Sequence, residues 1–172
     1  DMKIVELSPG GGWYTEILAN YIDKPGLLIA AHFDKDTNIS YFKRGRAAFE
    51  KKINTNQMYK NVEIVDLSSE FAKEESIDAV LTFRNLHNWL GPQMDNIFSN
   101  SYKALKPGGI FGVVEHRANP GTSMEKMKKS GYVTEEHAIE IAEKHGFILV
   151  SKSEINANPK DTKDYPRGVW TL

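Results

Sequence analysis

Residues 3–21, KIVELSPGGGWYTEILANY, constrain the fold of this chain more than any other stretch. A short apolar strand over residues 3–7 runs into a glycine-rich turn, and a helix begins near Trp13. Strand, glycine turn and helix make the βα unit in which nucleotide ligands are held. Glycines lack the Cβ that would keep a ligand off the backbone, and the first turn of the helix offers N–H groups without partners. Trp13, Ile17, Leu18 and Tyr21 fall at helical spacing, which predicts that they form the face turned to the core.

The chemistry of the turn narrows the ligand. Glu6, Leu7, Ser8, Pro9, Gly10, Gly11 and Gly12 read as acid-x-Gly-x-Gly-x-Gly, with Ser8 at the first glycine position. An acid beside a pyrophosphate would set two anions against each other in a partly desolvated cleft. It suits a cationic ligand such as S-adenosylmethionine, with its ammonium and sulfonium groups. The pattern favours a methyl donor over a dinucleotide. The plain structural alternative is a tight βα turn that holds no ligand.

The chain has 172 residues, a net charge of −1, a pI near 6.6 and no cysteine. That length suffices for one domain with a sizeable core, and a single domain over 1–172 is expected. No charge excess points to nucleic acid or a membrane surface. Disulfides, cysteine metal sites and thiol nucleophiles are excluded. No apolar run has the length of a membrane span, and no signal peptide is read. A cytoplasmic location is the expectation. Residue 1 is Asp and the chain opens almost inside its first strand, so an upstream targeting segment is left open.

Strands and helices alternate, which predicts an α/β fold: a Rossmann-like, doubly wound, mostly parallel sheet between helices. Strands are expected at 3–7, 27–33, 62–65, 77–83 and 110–114, a sixth at 147–151, and a last one at 168–172. Helices are expected at about 14–22, at 39–53 with Ile39, Phe42, Phe49 and Ile53 at helical spacing, and from Pro92. Met94, Ile97, Phe98, Tyr102 and Leu105 line one side of the last of these. Thr134 caps a further helix whose Ala138, Ile141 and Ala142 face inward, with Gly146 as its left-handed cap. Lys24-Pro25-Gly26 and Lys106-Pro107-Gly108-Gly109 are turns.

With these elements in place, the chain resembles the class I S-adenosylmethionine-dependent methyltransferases over nearly its whole length. The resemblance rests on the Glu6–Gly12 turn, on Asp66 after the third strand and on Leu105-Lys106-Pro107-Gly108-Gly109 before the fifth. Trp-Tyr-Thr-Glu-Ile-Leu after the glycines, residues 82–89 (TFRNLHNW) and residues 153–161 (SEINANPKD) are similar to a bacterial subgroup with no settled substrate. The resemblance implies a seven-stranded sheet and S-adenosylmethionine as cofactor. It implies that Glu6, Ser8, Gly10, Gly11 and Gly12 cradle the methionine part, and that Asp66 lies near the adenine amine. Leu67 would add a backbone N–H and an apolar contact to the ring. The family usually ends its second strand with a ribose-binding acid, and here that position falls on His32, with Asp34 two residues on. Asp34 is favoured, because a carboxylate accepts from both hydroxyls together and an imidazole does not. The helix that usually precedes the first strand is missing from this chain.

Methyl transfer asks a protein to align donor and acceptor, and to supply a base only if the acceptor is protonated. His87, in Arg84-Asn85-Leu86-His87-Asn88-Trp89, is the first candidate for base or substrate contact, where the family places acceptor-facing residues. His116, after the fifth strand, is the second. Glu115, His116 and His87 together make a metal-ligand set, but neighbours in a strand point opposite ways, and no metal is expected. Arg84 and Asn85 are candidates for the methionine carboxylate or the substrate, with Arg84 equally suited to pair with Glu6 or Asp66. Trp13, Tyr14 and Trp89 line an acceptor pocket or pack the core. Lys43, Arg44, Arg46, Lys51 and Lys52 are expected to form a solvated helix face. The reading is a methyltransferase acting on a small molecule. Its rivals are a degenerate methyltransferase fold that binds or regulates, and a NAD(P)-dependent oxidoreductase, which Glu6 and Pro107-Gly108-Gly109 disfavour.

Overall fold

Five strands form in the computed structural model: β1 (Lys3–Leu7), β2 (Leu27–His32), β3 (Val62–Asp66), β4 (Ile77–Phe83) and β5 (Leu105–Val114). The described residues are 1–22 and 25–171. All neighbouring strands are parallel, in the order β3-β2-β1-β4-β5. Val5, Leu7, Leu28, Ala30, Ala31 and Val80 are fully buried, as strands covered on both faces require. The chain order reverses direction across the sheet between β1 and β4, so the switch point lies at the carboxyl ends of β1 and β4.

Contacts group the described residues into two compact units. The first holds Asp1–Phe83 and Ser99–Val114, and so contains the sheet, α1 (Trp13–Tyr21), α2 (Ser40–Thr55) and a short turn of helix at Gln57–Tyr59. Ala19 and Ile22 with Phe49 and Ile53 pack on Ile4, Leu28, Ala30 and Ala79 of the sheet. The second holds Arg84–Phe98 and Glu115–Leu172. It contains α3 (Leu86–Trp89), the first half of α4 (Pro92–Ala104), α5 (Met124–Ser130), α6 (Glu135–Lys144) and a helical turn at Gly168–Trp170. Leu86, Trp89, Met94, Ile97, Phe98, Met127, Tyr132 and Val133 are among its buried residues. Thr134 caps α6 by accepting the His137 N–H, and Gly146 follows with φ 94, as its position predicts.

Three expectations are corrected. Of the apolar stripe of α1 only Leu18 packs against the core: Trp13 is 65%, Ile17 39% and Tyr21 82% exposed, while Gly12, Thr15 and Ala19 are buried. Small residues let this helix lie close on the sheet. Residues 147–151 make no strand, and Ile148 and Val150 are exposed. The tail forms a turn of 3-10 helix at Gly168–Trp170 in place of a strand, so the sheet has five strands among the described residues. Leu172 and Lys24, parts of the expected last strand and of the first turn, lie outside the described residues. The second turn is present: Ile77 pairs with Leu105 and Ala79 with Ile110, so residues 106–109 loop out between them. Among the described residues, no helix is long and apolar enough to cross a membrane.

Gly12 fixes α1 to α2. Its φ is 78, and a Cβ there would stand 2.9 Å from the buried Phe49 ring. At Gly11 a Cβ would meet nothing within 4 Å. Gly12→Ala is therefore expected to cost about 1–3 kcal/mol in urea unfolding, from strain and the clash. Gly11→Ala should stay within about 0.5 kcal/mol of wild type. Equal effects of the two would contradict this packing.

Candidate functional site

The glycine turn follows β1 directly. Ser8 donates its N–H to Ala31 O at 2.8 Å, tying the turn to β2, and holds a left-handed φ of 51. Gly12 N–H closes the turn on Pro9 O at 2.9 Å. The carbonyls are then claimed one by one. His32 Nε2 lies 3.0 Å from Gly10 O, and Lys52 Nζ donates to Gly11 O at 3.3 Å and Gly12 O at 3.0 Å. In a planar trans peptide C=O and N–H point opposite ways. Holding the Gly10 and Gly12 carbonyls on the protein side thus turns the Gly11 and Trp13 N–H groups outward. Gly10 and Gly11 are exposed, and a Cβ on either would point into open space. The arrangement fits a ligand that approaches the backbone closely.

Glu6 lies in β1 under this turn and is 1% exposed. Its Oε2 accepts from Thr15 Oγ1 at 2.6 Å. Burial pushes its carboxyl up to about 7, against the smaller lowering effects of the Thr15 hydrogen bond and the Lys52 charge. A carboxyl so placed gains most from a cationic neighbour, which is the chemistry of the S-adenosylmethionine ammonium.

His32 is committed to the protein. Its Nδ1 accepts the Phe33 N–H at 2.7 Å, so Nε2 carries the proton and donates to Gly10 O. Burial holds its pKa below the ordinary range, which keeps the ring neutral. Asp34 is half-buried, and its Oδ1 accepts the Ser68 N–H at 3.0 Å, joining the loops after β2 and β3. Asp66 Oδ1 accepts from Arg46 Nη1 at 2.9 Å and Lys35 N at 3.2 Å. Leu67 is buried, and its N–H goes to His32 O at 2.8 Å. The expectation that this N–H is offered to an adenine ring does not hold here, because the strand ladder of β2 takes it.

Sequence reasoning missed Arg46 and Lys52, which were read as part of a solvated face. Arg46 is buried and binds Phe33 O, Glu50 and Asp66. The partner of Asp66 is thus Arg46 and not Arg84. The Arg46-x-x-x-Glu50 spacing was the available signal, since i,i+4 pairs of opposite charge meet on a helix. Tyr14 stacks on Phe83 with centroids 3.8 Å apart, while Trp13 is exposed.

The second unit gathers the other candidates. His87 stands on α3, anchored by the buried Leu86 and Trp89. Its Nδ1 lies 3.0 Å from Glu115 Oε1, and its backbone N–H donates to Glu115 Oε2 at 3.2 Å. The His116 ring lies 5.9 Å from that of His87, and the Trp170 ring 5.5 Å. Burial lowers the His116 pKa, with the charges of His87 and Arg84 acting the same way. Tyr132, beside His116, donates to Asp161 at 2.8 Å, and burial pushes its phenol up to about 12. Trp89 packs the core. Arg84 is exposed with φ 60, and Asn85 precedes α3. Among the described residues no His, Asp and Glu groups hold a metal-binding geometry.

The methyltransferase domain family model matches residues 5–113, from β1 to β5. The chain belongs to this methyltransferase family. No curated protein matches this methyltransferase domain. Solved structures share its fold. A SAM-dependent methyltransferase from Aquifex aeolicus superimposes with a TM-score of 0.64 at 16% identity, covering 84% of this chain and 71% of its own. The cyclase SpnF gives 0.69 at 18%, covering 87% and 53%. A protein from Bacillus halodurans C-125 gives 0.62 at 20%, covering 88% and 64%. This methyltransferase domain thus spans about half to seven tenths of their lengths.

The raised Glu6 pKa makes a prediction for the ligand-free protein. The fold holds this proton more tightly than the unfolded chain does. The stability it contributes is complete below pH 4.5 and is lost as pH rises through about 7. The shift corresponds to roughly 3 kcal/mol. His32 and His116, with lowered values, act in the opposite sense, so the comparison must be with Glu6→Gln. Between pH 5 and 8 the stability of wild type relative to Glu6→Gln is expected to fall by a few kcal/mol. A flat difference in denaturant titrations would place Glu6 in contact with water.

Proposed function

We propose that this chain transfers the methyl group of S-adenosylmethionine to a small-molecule acceptor. The observation that carries the reading is the buried Glu6 beneath a glycine turn whose carbonyls are already held. When bound, the cofactor supplies a methyl group activated by its sulfonium. The chain's residues bind and orient it. Glu6, Ser8, Gly10, Gly11 and Gly12 take the methionine part, with the outward N–H groups available to its carboxylate. Asp34 takes the ribose, since both nitrogens of His32 are engaged. Asp66 stands at the adenine edge, with Leu67 giving apolar contact. Arg84 and Asn85 are the further candidates for the methionine carboxylate or the acceptor. His87 accepts the proton of the acceptor, and His116 beside it contributes to the same unit.

A small acceptor is supported by the near-neutral charge of the chain, which offers no extended basic surface to a nucleic acid. A second reading, binding without turnover, is favoured by one observation: His32 occupies the expected acid position and braces the turn.

Calorimetric titration with S-adenosylmethionine and S-adenosylhomocysteine, with NAD as control, tests both. Micromolar binding of the first two and none of NAD is expected. Glu6→Gln should weaken S-adenosylmethionine at least tenfold, about 1.4 kcal/mol. NAD binding in their place would overturn the methyl-donor reading. Cofactor binding with no methyl transfer across a broad acceptor screen would favour the second.

A further inference from the structure

Three aromatic rings of the first unit form a ladder. Tyr14, in the first turn of α1, stacks on Phe83 with centroids 3.8 Å apart and planes 7° from parallel. Trp13 meets Tyr14 at 4.6 Å and nearly at right angles. Leu7, the last residue of β1, pairs with Thr82, and Phe83 follows at the end of β4. The ladder therefore runs from the start of α1 to the carboxyl end of β4, across the switch point where folds of this kind bind ligands. Its two inner members are half-buried, whereas Trp13 is 65% exposed. Packing accounts for the Tyr14–Phe83 pair and leaves the open indole unexplained. A scattered surface apolar residue asks for no explanation. This one continues a ring stack into the crevice, beside a backbone N–H that the glycine turn aims outward.

The neighbours narrow what the indole meets. Thr15, in the same helical turn, donates to Glu6 at 2.6 Å, so one turn of α1 joins the buried acid to the aromatic wall. Glu6 suits the ammonium of the methionine part. S-adenosylmethionine and S-adenosylhomocysteine share that ammonium, so the acid does not separate donor from product. They differ in the sulfonium, whose methyl group and positive charge the product lacks. The other acid of α1, Glu16, is paired with Lys52 at 3.2 Å. An aromatic face attracts a cation through its quadrupole, tryptophan most strongly, and gives a neutral thioether no such attraction.

We propose that Trp13, braced by Tyr14 and Phe83, is the wall of the cofactor site that meets the sulfonium and makes the site favour the charged donor over its neutral-sulfur product. This rests on the methyltransferase reading and adds a specificity-determining residue to it. Glu6 sets affinity for both compounds, and Trp13 sets the difference between them. Loss of the methyl group removes the attraction, which favours exchange of product for fresh donor.

Calorimetric titration of the whole chain with each compound tests the proposal. In Trp13→Leu the ratio of the two dissociation constants is expected to shift about threefold or more against S-adenosylmethionine. Trp13→Phe, which keeps an aromatic face, should recover part of the shift. Tyr21→Ala, two turns along the same stripe and 82% exposed, should leave the ratio unchanged. A second measurement does not depend on how Trp13→Leu folds. Acrylamide quenching of the emission that wild type loses in Trp13→Phe should weaken when S-adenosylmethionine binds. An unchanged ratio in Trp13→Leu, an equal shift in Tyr21→Ala, or an indole as accessible with donor bound as without it overturns the proposal and leaves the cofactor reading standing. Wild type that binds neither compound removes both.

Discussion

The shape of the first unit's site depends on how the carbonyls of one turn are held. Three successive glycine carbonyls would otherwise present a ring of negative dipoles to any ligand. One imidazole and one ammonium take all three. Each such bond contributes about 1 kcal/mol, and more where the donor is charged. Their larger effect is orientation, because the peptide planes then have one allowed direction. The holders come from β2 and α2, so the turn is rigid only when the core around Phe49 and Ala30 is in place. Binding geometry and folding are in this sense one property.

The same logic separates His32 from Asp34. A histidine at a position where an acid is expected reads as a weakened binding residue. In the structure it is a brace whose two nitrogens face opposite demands, an N–H on one side and a carbonyl on the other. Only a neutral ring in one tautomer meets both. Asp66 likewise gains an unforeseen partner in Arg46, so the acids around the site are held by neighbours before a ligand arrives.

Much of this was legible in the residues. The five strands, the glycine turn, α2, α4 and the cap at Thr134 follow from alternation, helical spacing and capping chemistry. The inner face of α1 was not legible. Trp13, Ile17 and Tyr21 satisfy a periodic search for a core, whereas the close contact is made by Gly12, Thr15 and Ala19. Periodicity finds large apolar residues and is blind to contacts that depend on small ones. Residues 147–151 failed for a different reason: an apolar run shows the capacity to pair and not the presence of a strand to pair with. The roles of Arg46 and Lys52 depend on which side of α2 meets the sheet, and a basic stripe does not report that. In the second unit His87 was visible as a candidate, but the Glu115 carboxylate bound to its ring required coordinates.

Ser8 keeps a side chain in a left-handed backbone well that glycine enters freely. Holding it there forgoes roughly 1 kcal/mol or more of folding free energy. A glycine at this position would release that reserve and also unstiffen the entrance to the turn. The residue therefore marks a point where mutational drift toward a more stable chain and retention of a rigid turn pull in opposite directions. Directed evolution for heat resistance alone would be drawn to it first, at the expense of the turn's rigidity.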